Sequence, residues 1–161
     1  MTGDIGQWNR DGTLSIIDRK KNLVKLSHGE YVALEKLESQ YRTCMFISHI
    51  CCHADPTRPH IVAIISPIHS ELVTIAKLLE IDHLALSYQE LCTEKLIVKY
   101  IRQQLSETAH KSKFKGAEIL KYFVIVCEEW TTENFLTAAQ KMKRKEILAF
   151  YSEEVAGMYG V

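Results

Sequence analysis

Two short runs of apolar and β-branched residues around a proline-stiffened loop constrain the fold of this chain more than any other feature. The runs cover residues 46–52 and 61–65, and the loop between them reads Asp55-Pro56-Thr57-Arg58-Pro59. Runs of this kind are typical of strands, and proline and aspartate between them are typical of turns. We therefore expect two neighbouring strands, and a further strand at the third such run, residues 119–126.

Helix-spaced apolar residues accompany these runs. Leu34 to Tyr41 shows this spacing, and a short helix there is expected to expose Glu35 and Glu38 or to use them as caps. Three residues of types that cap helices precede the next helical segments: Ser70, Ser87 and Thr93. A final helix is predicted over residues 147–158. This order of elements indicates an α+β domain in which a small sheet is flanked by helices.

A β-hairpin is predicted at the start of the chain. Residues 4–18 contain short apolar segments around Asn9-Arg10-Asp11-Gly12, and Asp-Gly at such a position is a strong hairpin signal. A lone two-stranded hairpin is only marginally stable in water. We therefore expect this one to belong to a larger preceding domain, and residues 19–31, where basic residues and a Ser-His-Gly turn appear, to form a linker to a second unit.

Composition narrows the classes of function. The chain has 161 residues, with 20 Lys and Arg against 20 Asp and Glu, so it lacks the broad positive charge expected of a nucleic-acid-binding protein. The longest apolar runs, such as residues 122–127, fall far short of the roughly 20 residues of a membrane-spanning helix. The first residues lack the basic-then-apolar pattern of a signal peptide. Localisation stays open on these grounds.

The cysteines and histidines do not indicate a metal site. The five cysteines have no CxxC spacing and lie mostly in apolar segments: Cys44, Cys51, Cys52, Cys92 and Cys127. We expect reduced, buried thiols. His49, Cys51 and His53 alternate along one predicted strand, but the two histidines would lie about 13 Å apart, too far to share one zinc ion. No cysteine lies in an electropositive turn beside a histidine, as a catalytic pair would require.

Two basic segments about 120 residues apart are candidates for binding an anion. They are Arg19-Lys20-Lys21 and residues 141–145, and a further basic loop is expected at residues 111–116. Each segment taken alone is more often solvated charge than a binding site. Both lie between predicted elements, where side chains can reach a ligand without disturbing the core. The residues alone predict anion binding at loops and do not identify the anion.

Several ordered motifs resemble one known family. They are Thr2-Gly3-Asp4-Ile5-Gly6, residues 17–25 (IDRKKNLVK), residues 29–38 (GEYVALEKLE) and residues 136–145 (LTAAQKMKRK). In this order they resemble the C-terminal end of long-chain fatty acyl-CoA synthetases of the fungal type, members of the adenylate-forming superfamily. The resemblance covers essentially the whole chain.

The resemblance implies an activity and a division into domains. Family members join a fatty acid to ATP as an acyl-adenylate, release pyrophosphate, and pass the acyl group to coenzyme A, with Mg²⁺ accompanying the nucleotide. Residues 1–20 would be the last hairpin of the large N-terminal adenylation domain, and residues 21–161 the C-terminal lid domain. The phosphate loop and fatty-acid tunnel belong to the N-terminal domain, so the isolated chain is expected to be inactive.

The same resemblance implies the partners and location of the chain. The expected partners are its own N-terminal adenylation domain, fatty acid, ATP and coenzyme A, with no nucleic acid and no membrane span in this chain. The expected location is intracellular. For association of the full-length enzyme with a membrane, the endoplasmic reticulum, mitochondrial outer membrane, peroxisome and lipid droplet remain alternatives.

The resemblance also assigns nucleotide and hinge residues. Asp4 matches the carboxylate that accepts hydrogen bonds from both ribose hydroxyls, and Arg19 matches an arginine that contacts the same ribose. Lys21 matches the hinge position about which the lid turns between an adenylating and a thioester-forming pose.

Three further residues are assigned to the two chemical steps. Lys141 matches the catalytic lysine that bridges the carboxylate and the α-phosphate. Lys25 and Gly29 match residues that reach the active site in the thioester-forming pose, where a glycine lets the pantetheine arm pass close to the backbone. No metal ligand is assigned in this chain.

The sequence departs from the family pattern around Lys141. The family often has Pro-Thr or Ser-Gly before this lysine, where the chain has Ala138-Ala139-Gln140, and Asn134 is followed by Phe135 where Asn-Gly is common. We therefore expect a loop of altered shape, with Lys143 as an alternative to Lys141. Otherwise residues 143–145 would be the solvated first turn of the last helix. The alternative function is a non-catalytic module that binds an anion or a partner.

Overall fold

A computed structural model describes residues 4–19 and 23–160 of the chain. Its strands are β1 (Asp4–Trp8), β2 (Leu14–Arg19), β3 (Leu23–Lys25), β4 (Tyr31–Ala33), β5 (Ile47–Ala54), β6 (Ile61–Pro67) and β7 (Tyr122–Ile125). Its helices are α1 (Leu34–Tyr41), α2 (His69–Leu78), α3 (Tyr88–Thr93), α4 (Lys95–Lys111), α5 (Arg144–Phe150) and α6 (Ser152–Tyr159), with a 3₁₀ helix at Gly116–Glu118. The strands form two two-stranded sheets and one three-stranded sheet.

The hairpin predicted near the start of the chain is confirmed. β1 and β2 pair antiparallel, and the Asn9 N–H donates to the Thr13 carbonyl across the turn (2.8 Å). Gly12 has a φ of +83°, a left-handed conformation that glycine adopts without steric cost. The register places Asp4 directly opposite Arg19.

The predicted linker over residues 19–31 is wrong in its second half. β3 and β4 form an antiparallel ribbon around a turn, with Lys25 opposite Tyr31. Leu26 and Val32 are buried in the larger core, so the ribbon is part of the folded domain. A three-residue strand is too short to show the alternation by which strands are predicted. Residues 20–22 lie outside the described part of the chain.

The two strands predicted around the proline loop form the centre of the fold. β5 and β6 pair antiparallel, and the Thr57 N–H and hydroxyl both donate to Asp55 Oδ1 (2.8 Å each) in the loop between them. β7 pairs parallel with β6 and is shorter than the predicted strand. The order β5-β6-β7 leaves β5 at one edge, and every residue of the central β6 is buried.

Cores on both faces of this sheet confirm an α+β domain with helices flanking a small sheet. Consecutive residues of a strand point to opposite faces. Accordingly, Cys52 packs in the larger core with Leu37 of α1, Leu72 of α2 and Ile101 of α4, whereas Cys51 packs in a second core. The members of this second core are Cys51, Ile64, Val126, Trp130, Phe135, Leu136, Ile147 and Tyr151.

Two of the three predicted helix caps are wrong. Ser87 does cap α3, through a reciprocal capping box. α2 begins one residue before Ser70 and has no side-chain cap. Thr93 ends α3, and the Glu94 side chain accepts the Leu96 N–H at the start of α4. Cap residues also occur inside helices, so their type alone does not fix where a helix begins.

The predicted final helix is two helices, α5 and α6. They meet at Tyr151, which has non-helical dihedral angles of φ −97° and ψ 32°. Its ring is buried in the second core and its hydroxyl donates to Glu128 Oε2 (2.9 Å). These contacts fix the position of the break. α4 likewise differs from expectation, because it continues through Lys111 into the predicted basic loop.

The five cysteines are free, as expected; four are buried and Cys127 is half-buried. Among the described residues, no three His, Cys, Asp or Glu side chains are grouped as a metal site would require. None of the helices in the described ranges combines the length and apolar character needed to cross a membrane.

Candidate functional site

Lys141 lies at the end of a tight turn between the second core and α5. The Thr137 N–H donates to the Lys141 carbonyl (2.8 Å), and the Lys141 N–H donates to Thr137 Oγ1 (3.2 Å). Leu136 and Met142 pair in an isolated antiparallel bridge at the base of the turn. The Lys141 side chain is exposed and has no ion-pair partner in the described part of the chain. A cation with a fixed backbone and a free tip is suited to contact an anionic ligand.

Lys143, the alternative to Lys141, is held inside the turn. Its N–H donates to the Phe135 carbonyl (2.8 Å), and its Nζ donates to the Asn134 carbonyl (3.0 Å). The same Nζ lies 3.7 Å from Glu146 Oε2. These contacts tie the Lys143 ammonium to its own loop, so the geometry favours Lys141 as the free cation.

The structure shows how the chain accommodates its departures from the family pattern at residues 134–140. Gln140 has a φ of +59°, a left-handed conformation that favours glycine, so the glycine often found there in the resembled family would fit this backbone. Asn134 organises the start of the turn, since its Oδ1 accepts the Thr131 N–H (2.7 Å) and its Nδ2 donates to the Glu129 carbonyl (2.9 Å).

A buried ion pair fastens the segment that follows Lys141. The sequence predicts Arg144 as part of a solvated first helical turn. Instead, its side chain reaches inward to Glu38, whose side chain is only 6% exposed. The guanidinium donates through Nη1 to Oε1 (2.7 Å) and through Nη2 to Oε2 (2.9 Å), a two-pronged contact. Glu38, expected to be exposed or to cap α1, is therefore the inward anchor for the start of α5.

Burial and ion pairing have opposite effects on the pKa of each partner, and a different one of the two dominates in Glu38 and in Arg144. Burial raises the pKa of Glu38, although the hydrogen bonds and charge of Arg144 act in the opposite direction. Burial alone would lower the pKa of Arg144, but the hydrogen bonds and charge of Glu38 outweigh it, so that pKa is raised. Arg144 therefore remains a cation, and this cation together with the Cys52 N–H favours the charged form of Glu38 against the effect of burial.

Lys25 and Gly29 share the other candidate region, the exposed tip of the β3–β4 ribbon. Lys25 is exposed at the end of β3, with Nζ 5.9 Å from the centre of the Tyr31 ring. The Gly29 N–H donates to the Leu26 carbonyl (2.9 Å), which closes the turn. Gly29 has a φ of +92°, and a Cβ added there would meet no atom within 4 Å. The backbone at Gly29 is thus open to close approach.

Surface contacts attach this tip to the 3₁₀ helix and to the β5–β6 loop. Glu30 Oε2 accepts the Ala117 N–H (3.2 Å) and lies 3.1 Å from His28 Nε2. The Ser27 N–H donates to the Arg58 carbonyl (3.1 Å). Within the described ranges, no hydrogen bond or ion pair joins the tip to the Lys141 turn, so the two regions are separate in this structure.

The remaining predicted site residues lie at or near the hairpin. Asp4 and Arg19 are opposite each other in the β1–β2 register, which brings the two positions of the predicted ribose contact together in the backbone. Lys21, the predicted hinge, lies outside the described residues. The sequence did not indicate the Glu38–Arg144 pair, since its members are 106 residues apart.

Comparisons of sequence identify relatives of the chain. No protein-family model matches it. Long-chain-fatty-acid–CoA ligase 1 of Saccharomyces cerevisiae is 41% identical over 98% of the chain, which covers 23% of that ligase. The ligase 1 of Schizosaccharomyces pombe is also 41% identical over 98% of the chain, which covers 24% of it. The chain thus spans about a quarter of the length of these curated relatives.

Comparisons of structure agree with the sequence. The A domain of a carboxylic acid reductase from Segniliparus rugosus, solved with AMP and a co-purified carboxylic acid, matches 99% of the chain with a TM-score of 0.78 and 26% identity. The adenylation domain of a carboxylate reductase from Mycobacterium chelonae matches all of it with a TM-score of 0.77 and 25% identity. The chain covers 23% of each. Over nearly its whole length, the chain is thus similar in sequence to about a quarter of the length of these long-chain-fatty-acid–CoA ligases.

Proposed function

We propose that this chain is the C-terminal part of a long-chain fatty acid–CoA ligase, with residues 1–20 ending the adenylation domain and residues 21–161 forming the lid. The complete enzyme would activate a fatty acid with ATP and transfer the acyl group to coenzyme A. Identity of 41% to long-chain-fatty-acid–CoA ligases over 98% of the chain supports this substrate class. Both ATP and coenzyme A are intracellular substrates, so the proposal includes an intracellular location.

The single observation that carries the proposal is the Lys141 turn. It presents one exposed ammonium on a backbone fixed by its contacts with Thr137. In the first step, a carboxylate oxygen of the fatty acid attacks the α-phosphorus of ATP, a new P–O bond forms, and the bond to pyrophosphate breaks. Negative charge builds on the phosphoryl oxygens. The Lys141 ammonium would hold a carboxylate oxygen and an α-phosphate oxygen together and stabilise this charge.

Asp4 and Arg19 would hold the ribose of the nucleotide during that step. Their backbone positions face each other across β1 and β2, so one ligand could contact both. The Asp4 carboxylate offers two acceptor oxygens for the two ribose hydroxyls, and the Arg19 guanidinium offers only donors. The roles of the two residues are therefore complementary.

The ribbon tip would serve the second step. There the thiol of coenzyme A loses its proton to solvent and attacks the carbonyl carbon of the acyl-adenylate. A C–S bond forms, the bond between that carbon and the phosphate oxygen breaks, and AMP leaves. Gly29 would allow the pantetheine arm to pass along the backbone, and its open surroundings support that role. Lys25 would supply a nearby positive charge, and rotation about Lys21 would exchange the two regions at the active site.

Mg²⁺ is not assigned to this chain. Among the described residues, no three His, Cys, Asp or Glu side chains are grouped as a site made of protein ligands alone would require. In the proposal the ion accompanies the phosphates of ATP.

The test is pyrophosphate exchange by the full-length protein. Lys141→Ala should lower fatty-acid-dependent ATP–pyrophosphate exchange about 10²- to 10³-fold, the usual effect of losing one preorganised charge-stabilising group. Lys145→Ala is the matched control, because Lys145 is an exposed lysine of the same segment, and it should retain near-normal exchange. Equal activity of the two variants would contradict the proposal. The 161-residue chain alone should release no pyrophosphate, and turnover by it would contradict the division into domains.

A further inference from the structure

The Glu38–Arg144 pair is an unusual way to fasten a loop. Removing two charges from water is costly, and a buried ion pair is often no more stabilising than apolar residues of similar volume. Here the Glu38 side chain is 6% exposed and that of Arg144 is 31% exposed. The pair therefore adds less to stability than its short distances suggest. What the pair adds is a fixed orientation of the Arg144 side chain relative to Glu38, since a planar guanidinium and a carboxylate meet in one preferred geometry.

The pair also fixes one point on the open edge of β5. Glu38 Oε1 accepts the Cys52 N–H (2.8 Å), and Arg144 Nη1 donates to the Cys52 carbonyl (2.7 Å). Both backbone groups of Cys52 are thus bound by the pair. Because β5 is hydrogen-bonded to the central strand β6, the pair attaches Arg144 to the three-stranded sheet.

Arg144 is three residues after Lys141. The intervening Met142 pairs with Leu136, and the Lys143 N–H is bound to the Phe135 carbonyl. Few free backbone torsions therefore remain between the guanidinium and the exposed ammonium. A displacement of Arg144 along the surface of the sheet would be transmitted to the base of the Lys141 turn.

We propose that Glu38 and Arg144 are positioning residues for the adenylation step, which set the location of Lys141 relative to the edge of β5. This inference rests on the proposed function of Lys141. Neither residue would touch a substrate. A shift of about 1 Å in a catalytic group can reduce a rate about 10²-fold, so loss of the two-pronged contact should have a measurable effect without unfolding the domain.

The test is a double-mutant cycle in the full-length protein. Arg144→Lys keeps the positive charge and loses the fork. It should lower ATP–pyrophosphate exchange about 10- to 100-fold and leave thioester formation from supplied acyl-adenylate near normal. In a Lys141→Ala background, Arg144→Lys should cause no further loss, because it acts through that lysine. Arg102→Lys is the control, since Arg102 also donates to a backbone carbonyl, that of Lys121, but on α4.

The outcomes separate this inference from the proposed function. If Lys141→Ala leaves exchange unchanged, the proposed function fails. If Lys141→Ala lowers exchange but Arg144→Lys has no effect, lowers both half-reactions equally, or multiplies the loss in the Lys141→Ala background, the positioning role is wrong. If Arg144→Lys does not fold, Glu38→Gln takes its place in the cycle, since the amide keeps the volume and one acceptor.

A second measurement reports directly on how firmly the Lys141 turn is held. Hydrogen exchange of the backbone amides of residues 137–143 should become faster in Arg144→Lys, while that of residues 26–30 at the ribbon tip stays unchanged. Unchanged exchange in residues 137–143 would overturn the role assigned to the pair.

Discussion

The Lys141 turn and the tip of the β3–β4 ribbon both present a lysine to solvent, but they are built differently. The turn is followed by a buried ion pair that binds the edge of a sheet. The ribbon tip is held by surface contacts of Glu30 and Ser27 and has a glycine with open space around it. The difference suits two kinds of chemistry. A charge that stabilises a transition state must be placed precisely, whereas a surface that admits a flexible arm must be unobstructed.

The ribbon is nevertheless anchored below its tip. Leu26 is 2% exposed and Val32 is 1% exposed, and both belong to the larger core. The residues between them, 27–31, are exposed, as is Lys25 before Leu26. Both regions are therefore attached to packed cores. They differ in the contacts that hold their exposed residues, a buried ion pair at the Lys141 turn and surface contacts at the ribbon tip.

The largest expected effect is on stability and distinguishes the two anchors. Glu38→Ala leaves the half-buried Arg144 guanidinium and the Cys52 N–H without their buried partner and should lower the free energy of unfolding by about 3–5 kcal/mol. Glu30→Ala removes an exposed carboxylate from the ribbon and should shift the urea midpoint little. Urea unfolding of the 161-residue chain checks both. Similar midpoints for the two variants would show that the buried pair is not the stronger anchor.

The next effect concerns the backbone at Gly29. Gly29→Ala places a Cβ at φ +92° and should lower the free energy of unfolding by about 1–3 kcal/mol. Gly157→Ala is the matched control, because a Cβ at Gly157 also meets nothing within 4 Å but lies in α6. It should stabilise the chain by about 0.5–1 kcal/mol. The thermal unfolding midpoint should therefore fall in Gly29→Ala and rise in Gly157→Ala. A change of the same sign in both variants would contradict the importance of the Gly29 conformation.

The smallest effect sharpens the description of the Lys141 turn. Gln140→Gly removes a side chain from a left-handed residue, which relieves about 1–2 kcal/mol of strain but adds about 0.5–1 kcal/mol of unfolded-state entropy. We expect a net stabilisation below about 1 kcal/mol. Gln140→Val, with a branched side chain at the same φ, should destabilise the chain in the same urea assay. A lower urea midpoint for Gln140→Gly would indicate that the Gln140 side chain stabilises the turn.

Local patterns in the sequence predicted much of the fold. The Asp-Gly turn gave the first hairpin, and the proline loop gave β5 and β6, because both signals act over a few residues. The β3–β4 ribbon was missed because its strands are three residues long. The break at Tyr151 was missed because it depends on where one buried ring packs.

The candidate site was predictable only in part. Family motifs located Lys141 and Gly29 in the sequence, but they did not indicate the left-handed conformation of Gln140. From its neighbours in sequence, Glu38 was predicted to be exposed or to cap α1, and Arg144 was predicted to be solvated charge. Their contact forms only when α1 and α5 meet at the edge of β5. Such tertiary pairs leave no periodic pattern in a single sequence.

The central claim is that the two regions serve different half-reactions. The most direct test compares Lys141→Ala and Gly29→Leu in the full-length protein, following ATP–pyrophosphate exchange and thioester formation from synthetic acyl-adenylate. Lys141→Ala should lose exchange about 10²- to 10³-fold and retain thioester formation. Gly29→Leu should retain exchange and lose thioester formation, because its side chain would obstruct the pantetheine arm. Equal loss of both half-reactions in either folded variant would contradict this separation.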